Sequence, residues 1–302
     1  MPVLSANYIG TWFHLVDPRD SSIKLVESYN TTATQELNAK PYLQGDVGTH
    51  VMTVGGIFYE YDFSSDALIL LSGQTSDIIS IISDGLETIR GGGYYNNVAA
   101  SYLLENANIS VSKQGVNAQA KFISDAENAW RPVYGDSGIS DLIARTAQWY
   151  DCVFGFTSHT GVQKIFQIDN ASLSITASVG KRFFIGTTQA PYFSVDSYTV
   201  TGKITLLVDP EVDIYLDGTT DSTSYFGIRP QLDNGASRLY PNGPKSVFLR
   251  VGNTTTIDLG MVSMIQTVNT TVRAGQITTA TISFTAYAKF NTTRALPPRQ
   301  SF

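Results

Sequence analysis

One cysteine, Cys152, stands among 302 residues, which excludes an intrachain disulfide and any zinc site needing two thiolates. Three histidines, His14, His50 and His159, are scattered without the spacing of a metal centre. A P-loop, a dinucleotide glycine fingerprint and a zinc signature are all missing, so neither cofactor nor metal is expected. Charge is scarce at 15% of residues and leans acidic, with a net −6 and a pI near 5.0. That speaks against a surface that grips nucleic acid, which needs Lys and Arg to neutralise phosphates. Long apolar runs are lacking too. The stretches Ile78–Ile82 and Thr278–Ala288 are interrupted by polar residues and fall short of the roughly 20 residues of a spanning helix, so no membrane insertion is expected. Met1–Asp17 has no basic segment leading into an apolar core, so no secretory signal is expected and synthesis is placed in the cytoplasm. A hydrophobic content of 42% excludes an intrinsically disordered chain.

What the sequence does hold is strand-forming residues. Thr, Val, Ile, Tyr, Phe, Asn and Ser dominate, and β-branched and aromatic side chains suit a pleated surface. Strands are expected at Gly56–Phe63, Asn108–Ser112, Gln119–Ile123, Leu173–Ala177, Tyr198–Val208, Val247–Val251, Thr267–Arg273 and Thr278–Tyr287. In the last, Thr279, Thr281, Ser283 and Thr285 alternate with Ala280, Ile282, Phe284 and Ala286, the mark of a half-buried antiparallel strand. Two segments follow a helical period instead. Ser76–Arg90 carries Ile78, Ile79, Ile82, Leu86 and Ile89 behind Ser76 as N-cap, and stops at Gly91-Gly92-Gly93. Ser140–Tyr150 is the second, with a face of Leu142, Ile143, Ala147 and Tyr150.

The chain also matches itself. Laying Val51–Leu70 over Tyr198–Asp217 brings Gly55 onto Gly202, Ile57 onto Ile204, Asp62 onto Asp209 and Asp66 onto Asp213. Pro41-Tyr42-Leu43 resembles Pro191-Tyr192-Phe193. Further on, Asn108–Val111 and Gly115–Phe122 parallel Thr270–Val272 and Gly275–Phe284. Three blocks in one order favour a duplicated domain, the alternative being β-rich sequence that matches itself by composition. The expected division is an N-terminal arm (1–20), a β domain (21–125), a helical linker (126–163), a second β domain (164–288) and an extended C-terminal arm (289–302).

Catalytic chemistry finds little support. Gly135-Asp136-Ser137-Gly138 matches the core of a chymotrypsin-type nucleophile motif, but Gly48-Thr49-His50-Val51 lacks the block that accompanies the base in that family, and Ser137 reads as a turn serine. Glu60 with Asp62, and Asp209, Glu211 and Asp213, are spaced as carboxylate pairs. Period-two spacing puts each group on one strand face, as an acidic stripe without the unlike environments that separate a catalytic acid from its base. Trp12, Trp130, Trp149 and the tyrosines fit core and interface roles, with a sugar-stacking platform as the other reading. The chain is therefore not expected to be an enzyme.

The order of Ile168–Ala177, Phe184–Phe193, Tyr198–Leu207 with its Val200-Thr201-Gly202, and the Thr/Ser-rich Val272–Ala286 resembles tail tube proteins of tailed bacteriophages. The likeness covers 164–288, and 21–125 more weakly. It implies a mainly β fold of β-sandwich or partial-barrel domains with one or two short α-helices. It implies strands that join those of neighbouring copies into rings, trimeric if the domain is duplicated and hexameric if not, stacked into a hollow virion tube. The implied partners are other copies of the chain, a tape-measure protein and transiting double-stranded DNA in the lumen without specific binding, and a tail sheath where the tail contracts. A trimeric baseplate hub or distal tail protein is the near alternative, and a carbohydrate-binding β-sandwich module the distant one. Thr219–Phe302 carries eight basic side chains against three aspartates, a net +5, leaving −11 on residues 1–218; such halves suit stacked faces. Glu60, Asp62, Asp209, Glu211 and Asp213 are the expected lumen-lining residues, an acidic surface that phosphates would not adhere to. Asn30–His50, read as a long connection, is expected to touch the adjacent ring.

Overall fold

A computed structural model describes residues 13–18, 20–42, 49–71, 75–90, 102–125, 127, 129–133, 143–157, 163–182, 192–207, 246–252 and 255–287. Among these the chain forms β1 (Phe13–Val16), β2 (Ile23–Val26), β3 (Ser28–Tyr42), β4 (Thr49–Asp66), β5 (Leu68–Leu70), β6 (Thr75–Ser76), α1 (Ile78–Arg90), β7 (Tyr102–Ser112), β8 (Gly115–Ser124), β9 (Arg131–Val133), β10 (Ile143–Thr146), β11 (Cys152–Thr157), β12 (Gln163–Arg182), β13 (Tyr192–Leu207), β14 (Ser246–Val251), β15 (Thr255–Thr271) and β16 (Thr279–Tyr287). The fold is mainly β, as the composition requires.

One large antiparallel sheet organises it, in the order β3-β4-β8-β7-β12-β13-β16-β15. Beyond β15 the sheet continues through β14 and β11, and β11 pairs back onto the start of β12. The six strands from β12 to β11 thus close into a barrel, filled by Phe154, Ile168, Leu173, Val200, Ile204, Leu249, Ile257 and Ile282, all buried. The β3, β4, β8 and β7 half stays open, and its apolar face is covered by α1 and by the small sheet β6-β2-β1-β9.

Helix α1 owes its place to packing. Ile78, Ile79, Ile82, Leu86 and Ile89 are all buried, each worth about 1.5–3 kcal/mol of transfer free energy. Its isoleucine-rich sequence would hold an isolated helix of this length poorly. At Gly85 an added Cβ would stand 3.0 Å from the Phe122 ring, so the glycine sets how closely the helix approaches β8. The cap is Asp77, not Ser76, which lies in β6. The Asp77 carboxylate accepts the Ser80 N–H at 3.2 Å and the Leu68 N–H at 2.9 Å, and burial pushes its pKa up against those hydrogen bonds.

Four further expectations are corrected. The second helix does not form over its described part, since Ile143–Thr146 pairs with β5 and only Trp149–Asp151 makes a 3-10 turn. Consequently 126–163 is no helical linker: it supplies β9, β10 and the barrel strand β11. Phe13–Val16 belongs to a sheet with Leu15 buried, so the N-terminal arm does not extend to residue 20. Asn30–His50 is mostly strand, the Thr-rich β3 running to Tyr42 and β4 opening at Thr49. The extended C-terminal arm lies outside the described residues.

Strand order and pairing recur between the halves. In each, a long hairpin (β3-β4, β12-β13) is followed by a second hairpin (β7-β8, β15-β16) whose last strand docks on the second strand of the first. The irregularities recur with them. On β7 the register slips between Leu104 and Asn106, opposite Phe122 and Lys121. On β15 it slips between Ile265 and Thr267, opposite Phe284 and Ser283. The long hairpins slip just beyond Gln35↔Ile57 and just beyond Ser178↔Ser197, which follows Ala177↔Tyr198. Bulges are placed features that set local twist. With Phe122 laid on Phe284, Ile109 falls on Thr270, because Ile109 faces Ala118 and Thr270 faces Ala280. The overlay of Gly55 on Gly202 does not agree with this register. Gly202 lies opposite Phe284 while Tyr61 lies opposite Phe122, so Tyr61 takes that place. Pro41-Tyr42 ends β3 whereas Tyr192 begins β13, so that likeness joins unlike positions.

A buried ionic group ties the small sheet to the rest. Lys24, 5% exposed, places Nζ 3.1 Å from the Asp84 carboxylate on α1 and 3.6 Å from Asp17. Asp17 also accepts the Tyr102 hydroxyl at 3.2 Å. Removing one partner strands a buried charge, so Lys24→Met is expected to cost about 3–5 kcal/mol in chemical denaturation. A loss under about 1 kcal/mol would mean water reaches Asp17.

Candidate functional site

Period-two alternation gives the large sheet two unlike faces. Inward stand Phe63, Ala118, Ala120, Phe122, Ala107, Ile109, Leu173, Ile175, Val200, Ile204, Ile282 and Phe284. On the other face, register aligns rows of short polar side chains: Asp62, Lys121 and Asn106, or Ser64, Gln119 and Asn108. The first row carries on through Thr176 and Thr199 and the second through Ser174, Thr201 and Thr285, while a third joins Ser110, Ser172, Lys203 and Ser283. Hydroxyl pairs bridge neighbouring strands, Ser28 to Ser64 at 2.6 Å and Thr205 to Thr281 at 3.0 Å.

Glu60 and Asp62 lie on this polar face of β4, but not as a bare acidic stripe. The Lys121 ammonium stands 3.1 Å from Glu60 and 3.1 Å from Glu105. Burial works against that ammonium, yet the hydrogen bonds to Glu60 and Glu105 together hold its pKa above the ordinary lysine value. Burial raises the Asp62 pKa, with Lys121 opposing. The patch therefore holds three carboxylates around one ammonium, an acidic group partly offset by Lys121 rather than a bare stripe. Asp209, Glu211 and Asp213 lie outside the described residues, as does Gly135–Gly138. The pattern reasoning missed Lys121 and Glu105. Lys121 was legible as the continuation of Asn117 and Gln119 along β8, whereas Glu105 reaches it from a bulge that no periodicity announces.

Among the described residues, aromatic side chains are mostly buried. Trp130, 1% exposed, packs with Phe63, Tyr102 and Phe122 at ring-centroid distances of 5.1–5.9 Å. Tyr61 accepts the Ala129 N–H through its hydroxyl at 3.2 Å. Tyr150 is exposed, with Arg145 over its ring at 5.6 Å. Among the described residues, no group of three or more His, Cys, Asp and Glu could hold a metal ion, and no helix is long and apolar enough to cross a membrane.

The sheet has two margins that matter as much as its face. Among the described residues β3 has a strand partner on one side, β4, and the 261–271 stretch of β15 has one, β16. Ser28, Asn30, Thr31, Thr32 and Ala33 are exposed whichever face they point to, since no neighbouring strand covers them. Soluble proteins usually blunt such edges with Lys, Pro or inward charge. Neither Ser28–Gln35 nor Met261–Thr271 contains a charged residue or a proline. Compared with known proteins, the chain matches no family model, and no curated protein matches its sequence.

The charge cluster generates its own test. Lysine with a raised pKa stabilises the fold at neutral pH, and that stability disappears as pH rises through the folded value. Lys121→Met leaves Glu60, Asp62 and Glu105 facing one another, at an expected cost of about 1–2 kcal/mol at pH 7. The deficit should shrink near pH 4, where the carboxylates take up protons. Equal deficits at both pH values would assign the effect to packing of the lysine stem.

Proposed function

We propose that the chain is a structural, non-enzymatic protein of a phage virion, whose copies join into rings that stack as the hollow tail tube through which the genome is ejected. The observation that carries this reading is the contrast between the sheet's two faces: a hydroxyl- and amide-rich face, interrupted at one end by the buried apolar cluster of Phe58, Leu103, Ile123 and Phe193, is backed by a filled core. Such a face wets without gripping. Phosphate binding needs arrays of Lys and Arg, and here Lys121 is already held by carboxylates. Glu60 and Asp62 face the lumen in this reading, and Asp209, Glu211 and Asp213 remain its candidates outside the described residues.

The recurring strand order and bulges support a duplicated tube domain, two units per chain and hence a trimeric ring of pseudo-sixfold symmetry. The unequal charge of the two sequence portions suits ring-on-ring stacking. Tape-measure protein and DNA would occupy the lumen, and a sheath the outside of a contractile tail. The doubled unit also suits a trimeric baseplate hub, which differs in stopping at one ring.

Negative-stain electron microscopy over a concentration series separates these readings. Hollow stacked rings or tubes are expected. Single rings that never stack would move the assignment to the hub. Monomers at every concentration, with retention on a sugar column, would replace both with a carbohydrate-binding module.

A further inference from the structure

The chain contains one internal example of how its units join. Strand β7, which opens the second hairpin of the first unit, pairs antiparallel with β12, which opens the first hairpin of the second, matching Val111 to Ala171, Ser110 to Ser172, Ile109 to Leu173, Asn108 to Ser174 and Ala107 to Ile175. The corresponding strands are β15, which opens the second hairpin of the second unit, and β3, which opens the first hairpin of the first unit. Among the described residues these strands form the two open edges of the same sheet, along Met261–Thr271 of β15 and Ser28–Gln35 of β3, stretches without charge or proline.

We propose that β15 of one copy pairs antiparallel with β3 of the next, in the register of the internal β7–β12 joint. The shared pairings carry that register across. Leu173 and Thr31 hold equivalent places, being opposite Gly202 and Tyr61, which in turn face Phe284 and Phe122. Ile109 and Thr270 do likewise, opposite Ala118 and Ala280. Substituting equivalents gives Val272 opposite Tyr29, Thr271 opposite Asn30, Thr270 opposite Thr31, Asn269 opposite Thr32 and Val268 opposite Ala33. Val272, 73% exposed at the end of β15, then gains a neighbouring strand. The contact is head-to-tail, so each copy offers one edge of each kind, and a constant rotation per joint closes a ring. This joint supplies what the tube reading needs but stands on strand pairing alone.

Disulfide trapping tests it in the full chain. Background is low, because the lone thiol of Cys152 is buried and its pKa is pushed up to about 12. Asn30→Cys and Thr271→Cys proteins, each carrying one new and exposed thiol, are mixed under mild oxidation. Directly opposed positions lie about 4.5–5.5 Å apart, within disulfide reach. The mixture should cross-link about tenfold more than either protein alone, or than Asn30→Cys mixed with Asn269→Cys, a pairing displaced beyond that reach. The double variant Asn30→Cys/Thr271→Cys should give a ladder ending at the closed ring. Ser110→Cys with Ser172→Cys in one chain, the internal counterpart, confirms that the fold and the oxidant permit the bond.

Dimers of Asn30→Cys alone would show like edges meeting, and preference for Asn269→Cys another register; either overturns the proposal. So does an absence of cross-links while the internal pair oxidises. Tubes without the cross-link would sink this joint and leave the tail reading standing. Cross-linked rings that never stack would do the reverse.

Discussion

Alternation of side chains across a pleated strand is the constraint from which the rest of this structure follows. Successive residues point to opposite faces, so the inner strands β8, β7, β12, β13 and β16 each divide into a buried set and a more exposed set, and pairing register aligns them. On β12 that means Ala171, Leu173, Ile175 and Ala177 inside, with Ser172 and Thr176 outside. A slip of one residue on any strand would exchange the two sets. The core thus holds the register, and the register builds the polar face. Bulges opposite Phe122 and Phe284 are the places where this rule is suspended locally.

The two halves meet the covering problem differently. The second curls its sheet back through β14 and β11 and closes on itself. The first remains open and calls on α1, held by its isoleucines, and on a small sheet anchored by the Lys24, Asp84 and Asp17 group. One strand order is therefore compatible with two ways of shielding its apolar side. Both leave the polar face and the outer edges alone, which is why those features recur while their backing does not.

Edges and faces have opposite physical roles here. The face is rich in groups that bond to water or to each other across strands, as Ser28 does with Ser64 and Thr205 with Thr281. Along Ser28–Gln35 and Met261–Thr271 the edges present a backbone template without the charges that normally discourage pairing. In the proposed tube, the face would be the inert surface and the two margins the adhesive ones, so that copies join sideways and leave a passage unobstructed.

Much of the fold was legible in order of residues alone. Val116 to Phe122 and Thr279 to Ala286 announce half-buried strands by alternation, and Ile78 to Ile89 announces a helix by its stripe, because those periods are local properties of the backbone. The sequence could not announce the helix cap. Asp77 outcompetes Ser76 because its carboxylate also serves Leu68, a residue from another element. Nor did the described part of Ser140–Tyr150 obey its apparent period, since Ile143–Thr146 found a strand partner in β5. The Lys121 cluster needed Glu105 from a bulged neighbour. The open edges needed the strand order itself. Periodicity is written in the chain one turn or one pleat at a time; which strand lies beside which, and which edge is left without a neighbour, is decided only when distant segments compete for the same core.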